Sequence, residues 1–516
     1  MSRFPLGVPL ALCAVLLALA GPAGAERCAT GRLSTTVPRL AVRPLPRGWV
    51  HRIPAPVTTT GAHEQRTEHF RVFWGDGYDP ADPDWQPDAA GVPLWVATLA
   101  QSLEAALANQ TALGFPSPYG VDTYYLDAYV ANTGVVVDGT PVTLGTSTYA
   151  FTDIDADTVS AFFVFNDDFS PYTADELGVL RATAAHELFH AVQRVEYPWD
   201  DVLLVPDARW RQEWWWFEAT ATWMEEVCHP EVDDYVTYVQ TFLASPEEPL
   251  TSVDGLRPYG AAIFPGYLWL RHGGPATWRE TFQTAYAYGL EAALDGALRA
   301  RGSPPLADTV AAFWALAAHP DTTWPDGPEY RSGVSPWSAL PVPSLPFAAS
   351  ATAATAPGRW GAHWFSLAAA DLPLSLDLPS AQVGSAWRAA LAVPDGGPDA
   401  AVGTLPAGGG ITLGTRLPSG TAQLALVNVS AAEGSATYSL RVSQATPVTG
   451  PVIAEPVADP AEDPAENPLP AEDPPPAPEE ALLVPEGGAE GVTPPEAGAG
   501  SGGCFLSVLS ATERLR

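Results

Sequence analysis

The chain has 516 residues, 47% of them hydrophobic, and a formal net charge of −34. That is enough apolar material for more than one packed layer, and the acidic balance argues against nucleic acid or an anionic membrane surface as partner. The sequence contains no lysine, so every basic residue is arginine, and with its many alanines and prolines this composition points to a GC-rich bacterial coding sequence.

Residues 1–25 read as a secretory signal. Arg3 supplies the positive end, Leu10 to Leu19 the apolar run, and Ala23-Gly24-Ala25 the cleavage site. The run is too short to span a bilayer, and no later stretch is apolar enough over about 18 residues, so no membrane span is expected and the protein is placed outside the cytoplasm, secreted or extracytoplasmic. Residues 26–60 are Pro- and Arg-rich and form an N-terminal extension or a short propeptide. Of the four cysteines, Cys28, Cys228 and Cys504 remain after cleavage. In an oxidising compartment the simplest pair is Cys28 with Cys228; a Cys28 thiolate held on a metal in a latent form is a second reading.

From about residue 61 the pattern alternates between strands and helices. The run His69 to Trp74 reads as a strand, and Trp95, Leu99, Leu103 and Leu107 as one face of a helix closed by Gly114. Tyr124–Val130 and Ala161–Phe165 read as further strands. Asp153, Asp155 and Asp157 alternate before the latter, and Asp167 with Asp168 follow it. These acids are candidates for a structural calcium, although a turn-rich acidic surface explains them as well and no full loop motif is present.

The segment Thr173-Ala174-Asp175-Glu176 reads as a capping box with Thr173 as the cap. The helix it opens has a broad apolar stripe through Leu177, Leu180, Ala184, Leu188 and Val192, and Pro198 ends it. On this helix lies His186-Glu187-Leu188-Phe189-His190. Imidazoles four residues apart project from one face about a turn apart, the spacing that lets a single helix offer two nitrogens to a tetrahedral zinc. Glu187 beside them suits a general base that takes a proton from a zinc-activated water. The bland alternative is a core helix with two surface histidines.

Catalytic zinc takes a third protein ligand. Positions 193 and 196 are Gln193 and Glu196, which rules out the metzincin pattern, and His229 precedes Pro230 at a helix end. The stronger candidate is Glu218, in a second predicted helix that ends near Cys228. Its helical neighbours are Trp214, Trp215, Ala221 and Thr222, and a carboxylate in such surroundings is expensive to bury without a cation. Small residues at 219–222 allow close approach to the first helix. Glu225, two turns on, is a candidate to hold a ligand histidine in its tautomer. The competing reading makes Glu213, Glu218, Glu225 and Glu226 the wet face of an amphipathic helix.

His186–His190 followed by Trp216-Phe217-Glu218-Ala219-Thr220-Ala221-Thr222-Trp223-Met224-Glu225-Glu226 resembles the gluzincin clan of zinc metallopeptidases, and within it the secreted metallopeptidases of myxobacteria and related bacteria. The stretch from Tyr259 to Leu270 is similar to that group's helix after the active site. The resemblance covers roughly residues 65–320. It implies zinc on His186, His190 and Glu218, Glu187 as general base, and an edge strand that holds an extended peptide, for which Ala161–Asn166 is the expected strand. Tyr259 is by analogy a donor to the oxyanion, an ordinary core tyrosine being the alternative; Arg257 and His272 are further candidates. Two departures stand out. Position 222, often acidic in the thermolysin-like branch, is Thr222, and 27 residues separate His190 from Glu218, more than in many gluzincins.

Further helices are expected around Tyr235–Phe242, Trp278–Phe282, Leu294–Leu298 and Val310–Trp314, with a kink at Pro265. From about 340 to 445 the texture changes. Leu372, Leu374, Leu376 and Leu378 alternate strictly and Gly/Pro turns recur, the pattern of a small β-sandwich. Residues 446–516 are an acidic, Pro-rich disordered tail. The expected architecture is therefore an α+β zincin-like catalytic domain over 61–335 (N-terminal sheet, HExxH helix, helical C-terminal subdomain), then an all-β sandwich over 340–445. The expected function is a secreted zinc-dependent endopeptidase acting on protein or peptide substrates. The alternative is a non-catalytic surface or adhesion protein that keeps a metallopeptidase fold.

Overall fold

The computed structural model describes residues 26–28, 59–155, 160–197, 207–331, 340–341, 344–368, 372–393, 399–414 and 421–445. The expected signal segment and the acidic tail lie outside the described residues, as does Cys504. The protein is α+β. In chain order its first part comprises β1 (Glu26–Cys28), β2 (Thr59–Thr60), β3 (His63–Arg66), β4 (Phe70–Trp74), α1 (Leu94–Ala112), β5 (Leu126–Val130), β6 (Val136–Val137), β7 (Thr140–Pro141), β8 (Thr148–Ile154), β9 (Ala161–Phe165), α2 (Glu176–Glu196) and α3 (Asp207–Cys228).

Six of the strands form a mixed sheet in the order β1-β8-β9-β5-β4-β3. β4, β5 and β9 run parallel, and β8 is antiparallel to β9. Side chains alternate across it. Phe70, Val72, Leu126, Ala128, Val130, Phe163 and Phe165 point to a core shared with Trp95, Leu99 and Leu103 of α1 and Leu180, Ala184 and Leu188 of α2. Phe73, Tyr129 and Val164 point the other way and pack with Val135 and Val137. Inside this sheet the charged pair Arg71–Asp127 makes two parallel hydrogen bonds of 2.7 Å, and Asp127 also accepts from the Tyr129 hydroxyl. Satisfying every oxygen in this way is what makes a buried ion pair tolerable.

Ala161–Phe165 is a strand as expected, but it is not the edge: β9 lies between β8 and β5. A continuous Ala-Phe-Phe-Val-Phe run has apolar side chains for both faces and so belongs inside a sheet. The strand that meets α2 is β8, which lies between β1 and β9 and whose polar residues Thr148, Thr152 and Asp153 interrupt its apolar pattern. The cap of α2 also moves. Asp175, not Thr173, accepts from the Gly178 amide, while Thr173 accepts from the Asp175 amide and Glu176 accepts from Phe169. The helix still ends at Glu196, with Tyr197 as its C-cap.

The helical part continues with α4 (Val236–Ala244), α5 (Arg257–Gly260), α6 (Ile263–Arg271), α7 (Pro275–Tyr288), α8 (Leu290–Arg299), α9 (Leu306–Ala317) and α10 (Gly327–Tyr330). The expected kink at Pro265 is instead a break at Ala261–Ala262. Pro265 falls in the first turn of α6, where its missing N–H leaves no bond unmade.

The last nine strands are β10 (Leu340–Pro341), β11 (Phe347–Ala351), β12 (Ala362–Ala368), β13 (Leu374–Ala381), β14 (Trp387–Ala392), β15 (Ala400–Thr404), β16 (Gly410–Leu413), β17 (Thr421–Asn428) and β18 (Tyr438–Gln444). They form a five-stranded sheet, β10-β12-β17-β14-β15, and a four-stranded one, β11-β18-β13-β16. Leu374, Leu376 and Leu378 of β13 meet Phe365, Leu424 and Leu426 between the sheets. The outer face of the five-stranded sheet is not free. Trp364 and Ala425 join the core of the helical part, and the indoles of Trp314 and Trp364 donate to the carbonyls of Trp360 and Trp314 respectively. The described residues up to Ala445 belong to one compact unit. Among the described residues no helix is long and apolar enough to cross a membrane.

Candidate metal centre

Two helices build the site. α2 brings His186, Glu187 and His190, and α3 crosses it with Glu218 and Glu225. The close approach uses small side chains: Ala219, Thr220, Ala221 and Thr222 are fully buried. His186, His190 and Glu218 are each no more than 2% exposed.

The donor atoms converge. The two histidine Nε2 atoms lie 3.0 Å apart, and Glu218 Oε2 is 3.3 Å from His186 Nε2 and 3.7 Å from His190 Nε2. Zinc binds nitrogen and oxygen at about 2.0–2.2 Å, which makes the edge of a ligand tetrahedron about 3.3–3.6 Å. The three separations bracket that edge. Neither oxygen of Glu218 receives a hydrogen bond, although both are buried. A buried carboxylate without donors is what a cation relieves. The residues present thus fit a zinc ion.

The other ring nitrogens are held. His186 Nδ1 donates to Glu225 Oε1 at 2.7 Å, and His190 Nδ1 donates to Gln193 Oε1 at 2.7 Å. With Nδ1 used in this way, each Nε2 is free to offer its lone pair inward. Gln193 is itself anchored, its amide donating to the Phe217 carbonyl and to Thr220 Oγ1. One side chain therefore orients a histidine and ties α2 to α3. Burial opposes charge on both partners of the central pair. Even so, the imidazoles pull Glu218 down to about 2, and Glu218 with Glu225 lifts His186 to about 10. The field of this site favours positive charge at its centre.

Glu187 meets β8 of the sheet. It is fully buried, and the Thr152 hydroxyl of β8 lies 2.7 Å from its Oε2 and 2.8 Å from its carbonyl. The ion pair between Arg194 and Asp153 fastens the same strand to the same helix. Tyr259, on α5, is buried with its ring 6.2 Å from that of His186. Trp214 stacks on His190 at 5.7 Å. Arg257 and His272 are engaged elsewhere. Arg257 donates to the carbonyls of Pro249 and Glu248, and His272 contacts Ser303 and the Tyr267 ring.

All six expected site residues except Tyr259 therefore come from the two crossing helices. Sequence reasoning missed Thr152 and Gln193. The signal for Gln193 was present, an amide three residues beyond His190 on the otherwise apolar face of α2. Thr152 had none, because β8 itself was not recognised. The Thr222 departure finds an explanation, since Glu225, the next residue on that face, supplies the carboxylate that supports His186.

The acids proposed for calcium have these partners. Asp153 pairs with Arg194, Asp167 accepts from Asn132, and Asp168 accepts from the Ser170 amide; Asp157 lies outside the described residues. Cys228 is a free cysteine, not the partner of Cys28. Its thiol sits against Asn109 of α1 and burial pushes it up to about 12, whereas the Cys28 backbone is paired with β8.

The wet-face reading fails for all four acids of α3, since Glu213, Glu218, Glu225 and Glu226 are each no more than 9% exposed. Glu226, Asp233 and Asp326 bring carboxylate oxygens within 4.8 Å of one another. Burial first, then Asp326 and Asp233, raises Glu226 to about 8. An acid whose folded pKa lies above its ordinary value near 4.5 adds stability while it is protonated. That contribution is complete below about pH 4.5 and is lost as the pH rises through about 8. In calcium-free buffer the melting temperature is therefore expected to fall between about pH 5 and pH 9, and Glu226→Gln should flatten the slope over that window. An unchanged slope in the variant would count against this assignment.

Residues 55–286 match a family of unknown function, DUF6055, a stretch that contains both crossing helices and Tyr259 and stops short of the sandwich. No curated protein matches the chain.

Proposed function

We propose that this protein is a secreted zinc-dependent endopeptidase with a zincin-like catalytic part. The observation that carries the reading is the buried triangle of His186 Nε2, His190 Nε2 and Glu218 Oε2, with edges of 3.0, 3.3 and 3.7 Å. These three residues would hold the ion. Zinc bound there supplies a Lewis acid and lowers the pKa of a bound water from about 16 towards 7.

The remaining work falls to the chain. Glu187 accepts the proton of the attacking water and returns it to the leaving amine, and Thr152 fixes the carboxylate for both transfers. Glu225 and Gln193 keep the imidazoles in the tautomer a metal needs. Tyr259, whose ring lies 6.2 Å from that of His186, would donate to the oxyanion of a tetrahedral intermediate. The strand beside the base is β8, and an extended peptide would bind through its backbone on the side that β1 pairs. Retention of Glu187 favours catalysis over a scaffold role, since a binding module has no use for a base beside the metal.

Metal analysis of the full chain together with a casein cleavage assay tests this. One zinc per chain and cleavage abolished by chelator are the expected results. Zinc without cleavage would favour the surface or adhesion protein, and a chain without zinc would remove the basis of both.

A further inference from the structure

The strand nearest the candidate base does not have an open edge. β8 touches Glu187 through Thr152, and on its outer side it pairs with β1. The register sets Glu26 opposite Thr148 and Cys28 opposite Ala150. The two strands run parallel, so β1 advances along β8 toward the site, and its last pair is two residues short of Thr152. Two further facts mark β1 as an addition to the sheet. It lies outside residues 55–286, so the part that matches the family ends its own sheet at β8. It is also separated in sequence from β2 by residues 29–58.

We propose that Glu26–Cys28 is a built-in competitor of substrate, occupying through its backbone the β8 edge that a peptide must use. This rests on the peptidase reading above. An edge strand offers one row of N–H and C=O groups, and a single partner satisfies it. A three-residue strand makes only a few such bonds, so a longer peptide can displace it, but only against its occupancy. The N-terminal strand thereby lowers the affinity for extended peptides until it is displaced or cut away.

The test uses the full chain carrying Glu187→Gln, so that substrate is bound and not turned over. Binding of fluorescein-labelled casein is read by fluorescence anisotropy, and protection of the β8 amides by hydrogen exchange. Adding Arg27→Pro and Cys28→Pro removes two backbone donors and disfavours the strand. Casein should then bind tighter by on the order of tenfold, about the worth of one or two net hydrogen bonds. The amides of 148–152 should lose protection and regain it with casein. A synthetic peptide of residues 26–34 added in trans should return the affinity towards the starting value. Cys28→Ser alone keeps the backbone donors and should leave binding unchanged.

The proposal is overturned if the proline variant exposes β8 without a gain in casein affinity, or if Cys28→Ser produces the whole gain by itself. Should the proline variant unfold, β1 is structural and the proposal is equally overturned. Zinc content and cleavage by the wild-type chain decide the peptidase reading separately. A zinc-loaded, cleaving protein that fails these binding tests loses only the competitor strand.

Discussion

Glu187→Gln is expected to leave one zinc per chain and to lower casein cleavage by about a hundred- to ten-thousandfold, the usual worth of a positioned general base. The amide matches the carboxylate in shape, and its oxygen can still accept from Thr152 Oγ1, now 2.7 Å from Oε2. It cannot hold a proton at neutral pH. The loss should therefore fall on kcat, with KM little changed, because the residue is read as acting on the reacting water and not on the bound peptide. Zinc content measured on the same sample separates a lost base from a lost metal. Cleavage within a few-fold of wild type would remove Glu187 from the mechanism.

Glu218→Ala should have an effect of similar size by a different route. It removes the one oxygen donor of the triangle and leaves two imidazoles, too few to hold zinc in a closed site. Zinc should then be lost on dialysis, and cleavage with it. Glu225→Gln makes the graded comparison. It weakens the support of His186 without touching the triangle, and residues in that position are typically worth ten- to a hundredfold in metal affinity. Stability provides an independent readout. A ligand that binds only the folded chain raises its melting temperature by mass action. Chelator should thus lower the melting temperature of the wild type and leave that of Glu218→Ala unmoved. A chelator shift of equal size in both proteins would mean that the ion sits elsewhere.

Much of the α+β fold was legible from local pattern. α1, α2, α3 and the later helices fall where apolar residues recur at helical spacing, and the leucine alternation around Leu374–Leu378 is a strand. The errors share a cause. Thr173 looked like the cap because it stands three residues before Glu176, but the chain turns so that Asp175 meets Gly178 and Glu176 meets Phe169. β8 went unread because its mixed residues carry no clean alternation, and so the edge was assigned to β9. The Cys28–Cys228 pair was inferred from number and compartment alone, which say nothing about distance.

By itself, the sequence determined that two imidazoles and a carboxylate share one stretch of helix, because a separation of four residues puts side chains on one face whatever the surroundings. It also marked Glu218 as an acid in a place too apolar for solvent, and Glu225 as a candidate partner for a ligand histidine. Only the tertiary structure decided that Glu218 reaches both histidines, that Glu225 and Gln193 each take one Nδ1, and that Thr152 meets Glu187. Apart from Gln193, three residues from His190 on the same helix, these contacts join residues 28 to 39 apart. They depend on how α2 crosses α3 and on which strand lies beside α2. Both are outcomes of side-chain packing and strand pairing over long separations, for which no local spacing rule exists.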